Sequence, residues 1–260
     1  MLDLHPLPAF ADNYIWLLRN ALVGAERAVA VVDPGDAAPV EAHLARHDLR
    51  LVAILVTHHH PDHVGGVPEL VARHRVPVHG PAREAQAVVT VPHAEGARFA
   101  IADLGLELAV HEIPGHTLGH IAFVGGGALF CGDTLFSAGC GRLFEGTPAQ
   151  MLGSLDRLAA LPPATRLCCG HEYTLANLRF AATVEPDNPA RSAYAARASA
   201  AVAEGRPTLP STIALERAVN PFLRIDQPVV QHALREWSGD PLAGRVALFA
   251  ALRRWKDGFH

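Results

Sequence analysis

The chain has 260 residues, half of them hydrophobic and only 18% charged, with a formal net charge of −4. This composition excludes a disordered chain, and the acidic balance leaves no electrostatic footprint for nucleic acid or an anionic membrane. The length is enough to bury a sizeable core, as one large domain or one domain with a small appendage.

The opening Met1-Leu2-Asp3-Leu4-His5-Pro6 has neither a basic n-region nor an apolar h-region, and no apolar run approaches bilayer-spanning length. A cytoplasmic chain with no membrane attachment is expected, acting as a monomer. Cys131, Cys140, Cys168 and Cys169 show no C-x-x-C spacing and read as buried free thiols of a reducing compartment. Of the 22 basic residues only Lys256 is lysine.

In chain order, residues 4–7, 14–19 and 28–32 read as short strands, the last ending at the turn tripeptide Asp33-Pro34-Gly35. Asp33 is expected to form that turn and is not counted as a ligand. A helix follows over 37–47, with Val40 and Leu44 at helical spacing. The apolar run 51–56 is of strand length and ends abruptly in Thr57-His58-His59-His60-Pro61-Asp62-His63.

That loop reads as the heart of a metal site. Alternate side chains of an extended loop point to one side, so His58 and His60 can converge on one cation while His59 faces away. Asp62 and His63 fall just beyond, poorly placed for the same ion, which points to a second metal. A fortuitous tag-like tract would sit at a terminus and would not follow a core strand. His58-x-His60-x-Asp62-His63 resembles the metal-binding signature of the metallo-β-lactamase superfamily.

Residues 64–73 read as one helix and 76–79 as another strand, an α/β alternation with ligands at strand ends. His74, His79, His93 and His111 have no motif partners and read as ordinary histidines. The alternating strand 107–113 runs into Pro114-Gly115-His116-Thr117-Leu118-Gly119-His120, and strands 121–124 and 128–131 flank Gly125-Gly126-Gly127, a hairpin. Gly132-Asp133 follows directly. The glycine-rich stretch 137–146 precedes a helix near 148–161 and lacks a P-loop lysine. Strand 166–169 then delivers Gly170-His171-Glu172-Tyr173, after which the chain turns helical and rich in alanine and arginine.

These later segments narrow the resemblance to the glyoxalase II (hydroxyacylglutathione hydrolase) family. Residues 7–14 are similar to the opening of its members, and Asn220-Pro221-Phe222-Leu223-Arg224 and Leu252-Arg253-Arg254-Trp255-Lys256-Asp257 to its carboxyl-terminal part. The resemblance implies an α/β metallo-β-lactamase αβ/βα sandwich over residues 1–173 and a small helical substrate-binding domain over 174–260. It implies that His116 completes a site with His58 and His60, that His171 joins Asp62 and His63, and that Asp133 bridges two divalent metals. Three imidazoles leave a coordination position open, as catalysis requires. Nitrogen and carboxylate ligands suit zinc, iron or manganese, with zinc the default.

The same resemblance makes Asp62 and Asp133 the residues that orient a metal-bridging hydroxide. It assigns Arg142, Phe144, Tyr173, Arg253 and Lys256 to the substrate, with Phe144 standing where some members carry tyrosine. His120 is expected beside the ligands or in the core. The expected reaction is hydrolysis of S-(2-hydroxyacyl)glutathione, chiefly S-D-lactoylglutathione, to glutathione and D-lactate, the second step of methylglyoxal detoxification. A thiolate whose conjugate acid has a pKa of about 8.5 leaves without strong protonation, so no dedicated general acid is needed. No Gly-x-Ser-x-Gly motif points to an acyl-enzyme. The alternatives are a persulfide dioxygenase, which would leave His60, Asp62, His63 and His171 idle, another hydrolase of the superfamily such as a nuclease, and a non-catalytic glutathione-binding module.

Overall fold

Leucine- and valine-rich runs separated by turn residues organise the amino-terminal part of the chain into a sheet. The computed structural model describes residues 2–20, 22, 27–84 and 87–259. It divides into two compact units: Met1–Glu112 with Gly119–Gly132 and Cys168–His171, and Ile113–Leu118 with Asp133–Leu167 and Glu172–His260.

In the first unit, β1 (Leu2–Ala9), β2 (Asn13–Asn20), β3 (Ala28–Val32), β4 (Arg50–Leu55), β5 (Val78–Pro81) and β6 (Val91–His93) form one six-stranded sheet in that order. The first three are antiparallel and the pairs from β3 onward parallel. β2, β3 and β4 lack a polar face because both of their faces are covered. Ile15, Leu17, Val29, Val31 and Ile54 pack with Ala37, Val40 and Leu44 of α1 (Ala37–His47). Trp16, Leu18, Ala30, Val32, Ala53 and Leu55 are buried on the other face. α1 begins where the Asp36 carboxylate accepts the Ala38 N–H at 2.9 Å, and it ends at Asp48 in the left-handed region.

The helix expected over 64–73 is α3 (Val67–His74), which starts three residues later, after a short helical turn in the ligand loop, α2 (Pro61–Val64). The break comes at Gly66, whose N–H donates to Pro34 O at 2.9 Å and where a Cβ would lie 2.5 Å from Ala37 N. A side chain there would push the ligand loop away from the β3–α1 turn. Pro68 then starts α3, where its missing N–H costs no helical bond.

Four antiparallel strands complete this unit: β7 (Arg98–Ile101), β8 (Leu106–Glu112), β9 (Ile121–Gly125) and β10 (Ala128–Phe130). The expected glycine hairpin joins β9 and β10, with Gly126 and Gly127 at φ +57° and +75° as a two-residue turn demands. His79 on β5 and His93 on β6 share a 2.9 Å Nδ1···Nε2 contact, and Phe99 of β7 stacks on both rings at 4.3 Å.

The second unit holds a short hairpin of β11 (Leu135–Phe136) and β12 (Gly139–Cys140), then α4 (Pro148–Ala159), β13 (Arg166–Cys168), α5 (Thr174–Val184) and α6 (Pro189–Ala203). β14 (Ser211–Thr212), α7 (Ile213–Val219), α8 (Pro228–Ser238) and α9 (Gly244–Asp257) follow. Thr147 and Gln150 form a capping box at the start of α4. A buried polar clamp fixes the hairpin. Glu216 accepts from Ser137 Oγ at 2.9 Å and Ala138 N at 2.7 Å, and Asn220 Nδ2 donates to Phe136 O at 3.1 Å and Gly139 O at 2.9 Å. Burial pushes the Glu216 carboxyl pKa up, and these donors oppose that shift. Among the described residues no helix is long and apolar enough to cross a membrane.

Candidate metal centre and ligand pocket

Val32 of β3 pairs with Leu55 of β4, so the two parallel strands end level and deliver Asp33 and Thr57 side by side. Asp33, at φ +52°, accepts Thr57 N–H at 2.7 Å with Oδ1, and Thr57 Oγ1 at 2.7 Å and His63 Nδ1 at 3.1 Å with Oδ2. Because the Thr57 hydroxyl gives its proton to Asp33, it accepts from His58 Nδ1 at 3.1 Å. His58 therefore presents Nε2, which lies 3.1 Å from His60 Nδ1.

The same division of labour recurs at each strand end. His63 gives Nδ1 to Asp33 and turns Nε2 to within 3.4 Å of Asp62 Oδ2. His171 gives Nδ1 to Asp12 Oδ1 at 2.8 Å and sets Nε2 3.5 Å from the same Asp62 oxygen. Its backbone is held by the bridge to Asn13, and Tyr14 N donates to Gly170 O at 2.8 Å. Asn13 Nδ2 donates to Asp62 Oδ2 at 3.0 Å. Such acceptors fix the tautomer and orientation of a ligating imidazole.

His120 stacks on His58 with 4.5 Å between ring centroids and a 16° tilt, backing the ligand ring from the core. Gly132, at φ +45°, lets the chain pass: a Cβ there would sit 2.3 Å from Thr57 Oγ1. His59 turns toward Glu84, with Nδ1 3.4 Å from Oε1. Asp33 spends both oxygens on Thr57 and His63, which makes it an orienting residue.

In the second unit, His116 donates Nδ1 to Arg142 O at 2.9 Å and places Nε2 3.5 Å from Asp133 Oδ2. Both line a cavity of about 420 Å³ whose wall includes Arg142, Phe144, Tyr173, Arg253 and Lys256. The five residues assigned to the substrate thus share one pocket with two of the expected ligands. Phe144 is largely exposed and meets His116 edge-on at 5.2 Å, and Tyr173 meets Phe136 at 5.1 Å. Arg253 is only 5% exposed, and its Nη1 donates to Cys140 O at 2.7 Å. Burial, then Arg253, Arg142 and Arg179, lower the Lys256 pKa, opposed by Asp257.

The donor set fits divalent ions. Two ligands on a tetrahedral ion at about 2.0–2.1 Å stand about 3.3 Å apart. The pairs His58–His60, Asp62–His63, Asp62–His171 and His116–Asp133 lie at 3.1, 3.4, 3.5 and 3.5 Å. Asp62, His63 and His171 form one compact triad of ligand atoms.

The residues that position these ligands carried little signal in the sequence. Asp12 and Asn13 lie inside the segment similar to a family opening, and Thr57 heads the histidine loop with no role of its own in the motif. Their acceptors and donors become visible only when β2 and the 168–171 segment come together. Phe136, Cys140, Asn177 and Phe259 join the pocket wall without any motif.

Residues 14–171 match the family model of the metallo-beta-lactamase superfamily, and residues 172–259 that of the hydroxyacylglutathione hydrolase C-terminus. A protein of Alkalilimnicola ehrlichii named hydroxyacylglutathione hydrolase is 60% identical over 257 residues, spanning 99% of both chains. The crystal structure of TTHA1623 in a di-iron-bound form is 27% identical with a TM-score of 0.60, covering 84% of this chain and all of that one. The crystal structure of ETHE1 from Myxococcus xanthus is 24% identical with a TM-score of 0.65 over the full length of both, a likeness of fold.

Proposed function

Because the chain belongs to the hydroxyacylglutathione hydrolases of the metallo-beta-lactamase superfamily, we propose that it hydrolyses S-(2-hydroxyacyl)glutathione thioesters, chiefly S-D-lactoylglutathione, to glutathione and a 2-hydroxy acid. The expected metallo-β-lactamase fold with a helical carboxyl-terminal part is borne out. The observation that carries the substrate is the pocket in which Arg142, Arg253 and Lys256 share a wall with His116 and Asp133. Cations there suit the carboxylates of a glutathione moiety, and the same cavity would set the thioester beside His116 and Asp133.

The family and the histidine–aspartate groups imply two divalent ions. We assign His58, His60 and His116 to one, Asp62, His63 and His171 to the other, and Asp133 to both. Zinc is the proposed metal, with iron or manganese as alternatives; one structure similar to this chain is a di-iron form. When bound, such a pair lowers the pKa of water toward about 7 and supplies a hydroxide nucleophile at neutral pH.

The chain's own residues then do the rest. Asp62, steadied by Asn13, and Asp133 orient the nucleophile. Arg142, Tyr173 and Lys256 hold the glutathione moiety, on a wall that Arg253 stiffens through Cys140 O. Departure of the thiolate needs no general acid. Four buried cysteines with no disulfide among them suit the cytoplasm. The persulfide dioxygenase alternative draws no support from the relatives.

The test is hydrolysis of S-D-lactoylglutathione by purified protein before and after chelation, with zinc, iron or manganese restored, beside lactam and phosphodiester substrates. Metal-dependent glutathione release confined to the thioester is expected. A fully metallated protein that leaves the thioester intact overturns the reading.

A further inference from the structure

The pocket wall is crowded with cations: Arg142, Arg253 and Lys256 line it, and Arg179 is close enough to lower the Lys256 pKa. A carboxylate that is not among the proposed metal ligands stands beside them. Asp257, at the end of α9, places Oδ1 3.2 Å from Arg253 Nε, 3.1 Å from Arg253 Nη2 and 3.8 Å from Arg142 Nε. Arg253 is immobilised by this contact, by Cys140 O and by the Phe222 ring 5.1 Å beneath its guanidinium. Arg142 is different. Its side chain is 67% exposed and lies beyond hydrogen-bond reach of Asp257, so it can turn to an incoming anion without breaking a bond to that carboxylate.

We propose that Asp257 is an internal counter-ion that sets the affinity and selectivity of the pocket for carboxylate ligands, a specificity-determining residue for the hydrolysis proposed above. The identity of the substrate rests on that reading; the charge argument does not. An incoming carboxylate must share the field of Arg142 and Lys256 with Asp257, and like charges a few ångströms apart repel even where water screens them. A small ambient anion gains only that shared field. A ligand with further contacts along the pocket offsets the repulsion and binds. Without Asp257 the wall would hold inorganic anions more readily, and the substrate would compete with them.

The experiment is calorimetric titration of glutathione, and separately of inorganic phosphate, into metal-loaded wild-type, D257N and D257E protein, at low salt and at about 150 mM salt. D257N should bind phosphate about three- to tenfold more tightly at low salt and glutathione with a smaller gain, both gains shrinking at high salt. D257E, which keeps the charge, should stay within about twofold of wild type on the same electrostatic argument. Unchanged or weaker binding in D257N overturns the proposal and leaves Asp257 only the task of holding Arg253. Melting curves check folding, and D257S replaces D257N if that variant is unstable. A wild-type protein that binds glutathione yet leaves the thioester intact sinks the hydrolase reading alone; an unchanged phosphate affinity in D257N sinks this one alone.

Discussion

Replacing Asp33 by asparagine changes one oxygen to an amide nitrogen and should cripple the centre without touching a proposed ligand. Asp33 accepts three hydrogen bonds, two from Thr57 and one from His63. With the remaining oxygen kept on the Thr57 N–H, the new NH₂ faces His63 Nδ1–H. The imidazole can escape that clash only by moving its proton to Nε2, the nitrogen turned toward Asp62. Loss of such an orienting partner costs about 10- to 100-fold in metal affinity, and a buried donor left unsatisfied costs about 1–3 kcal/mol of stability. The backbone does not confuse the result, because asparagine tolerates the φ of +52° found here. Chelator competition with zinc reads the first quantity and urea unfolding of the metal-free chain the second. A D33N protein that folds and keeps its zinc affinity within about threefold would refute the tautomer argument.

Four other outcomes are expected. Asp133→Ala should lower turnover and bound metal together, and full metal loading with retained activity would remove its bridging role. Lys256→Ala should raise KM several-fold, of order the loss of one charged contact, with kcat unchanged. Arg253→Ala should in addition lower the melting temperature, since it strips the donor from the buried Cys140 carbonyl; equal stability of the two variants would mean that Arg253 is not structural. Finally, burial and then His93 hold the His79 pKa down at about 4. The unfolded chain takes up that proton near pH 6.5, so the stabilisation is complete above about 6.5 and is lost as pH falls toward 4. Urea midpoints should drop across that window, and H79F should flatten the drop; identical slopes would show that the pair does not matter.

The sequence was legible wherever one residue type carries one meaning. The apolar run before His58 and the glycine pair at Gly126-Gly127 each announced a local geometry, and the structure contains both. The helix expected over 64–73 starts late because Gly66 gives its N–H to Pro34 O and Pro68 has none to give; Pro68 is legible in the sequence, whereas the approach of Gly66 to the β3–α1 turn is not. Asp33 shows the same limit. Its turn role was readable, but its grip on Thr57 and His63 depends on the level ending of two strands. The clamp of Glu216 and Asn220 on the hairpin 135–140 spans about eighty residues of sequence. Arg253 was read as a substrate contact from its motif, and its burial against Cys140 depends on packing that no motif encodes. His79 and His93 carried no motif and became a stacked pair through pairing of β5 with β6.

The parallel pairing of β3 and β4 contains a slip between Val29 and Ala30 and then runs true to Val32 and Leu55. Beyond that point the two strands work as a vernier scale. One residue is worth about 3.3 Å of travel and a reversal of face. The register sets Asp33 opposite Val56, and deleting a single β4 residue downstream of the slip would bring it opposite Thr57 instead. The Asp48-Leu49 turn lies upstream of it, outside the graduated part of the scale. A residue inserted at that turn should therefore leave Asp33, Thr57 and His63 in register at the other end, and a one-glycine insertion after Asp48 that loses metal affinity would show otherwise.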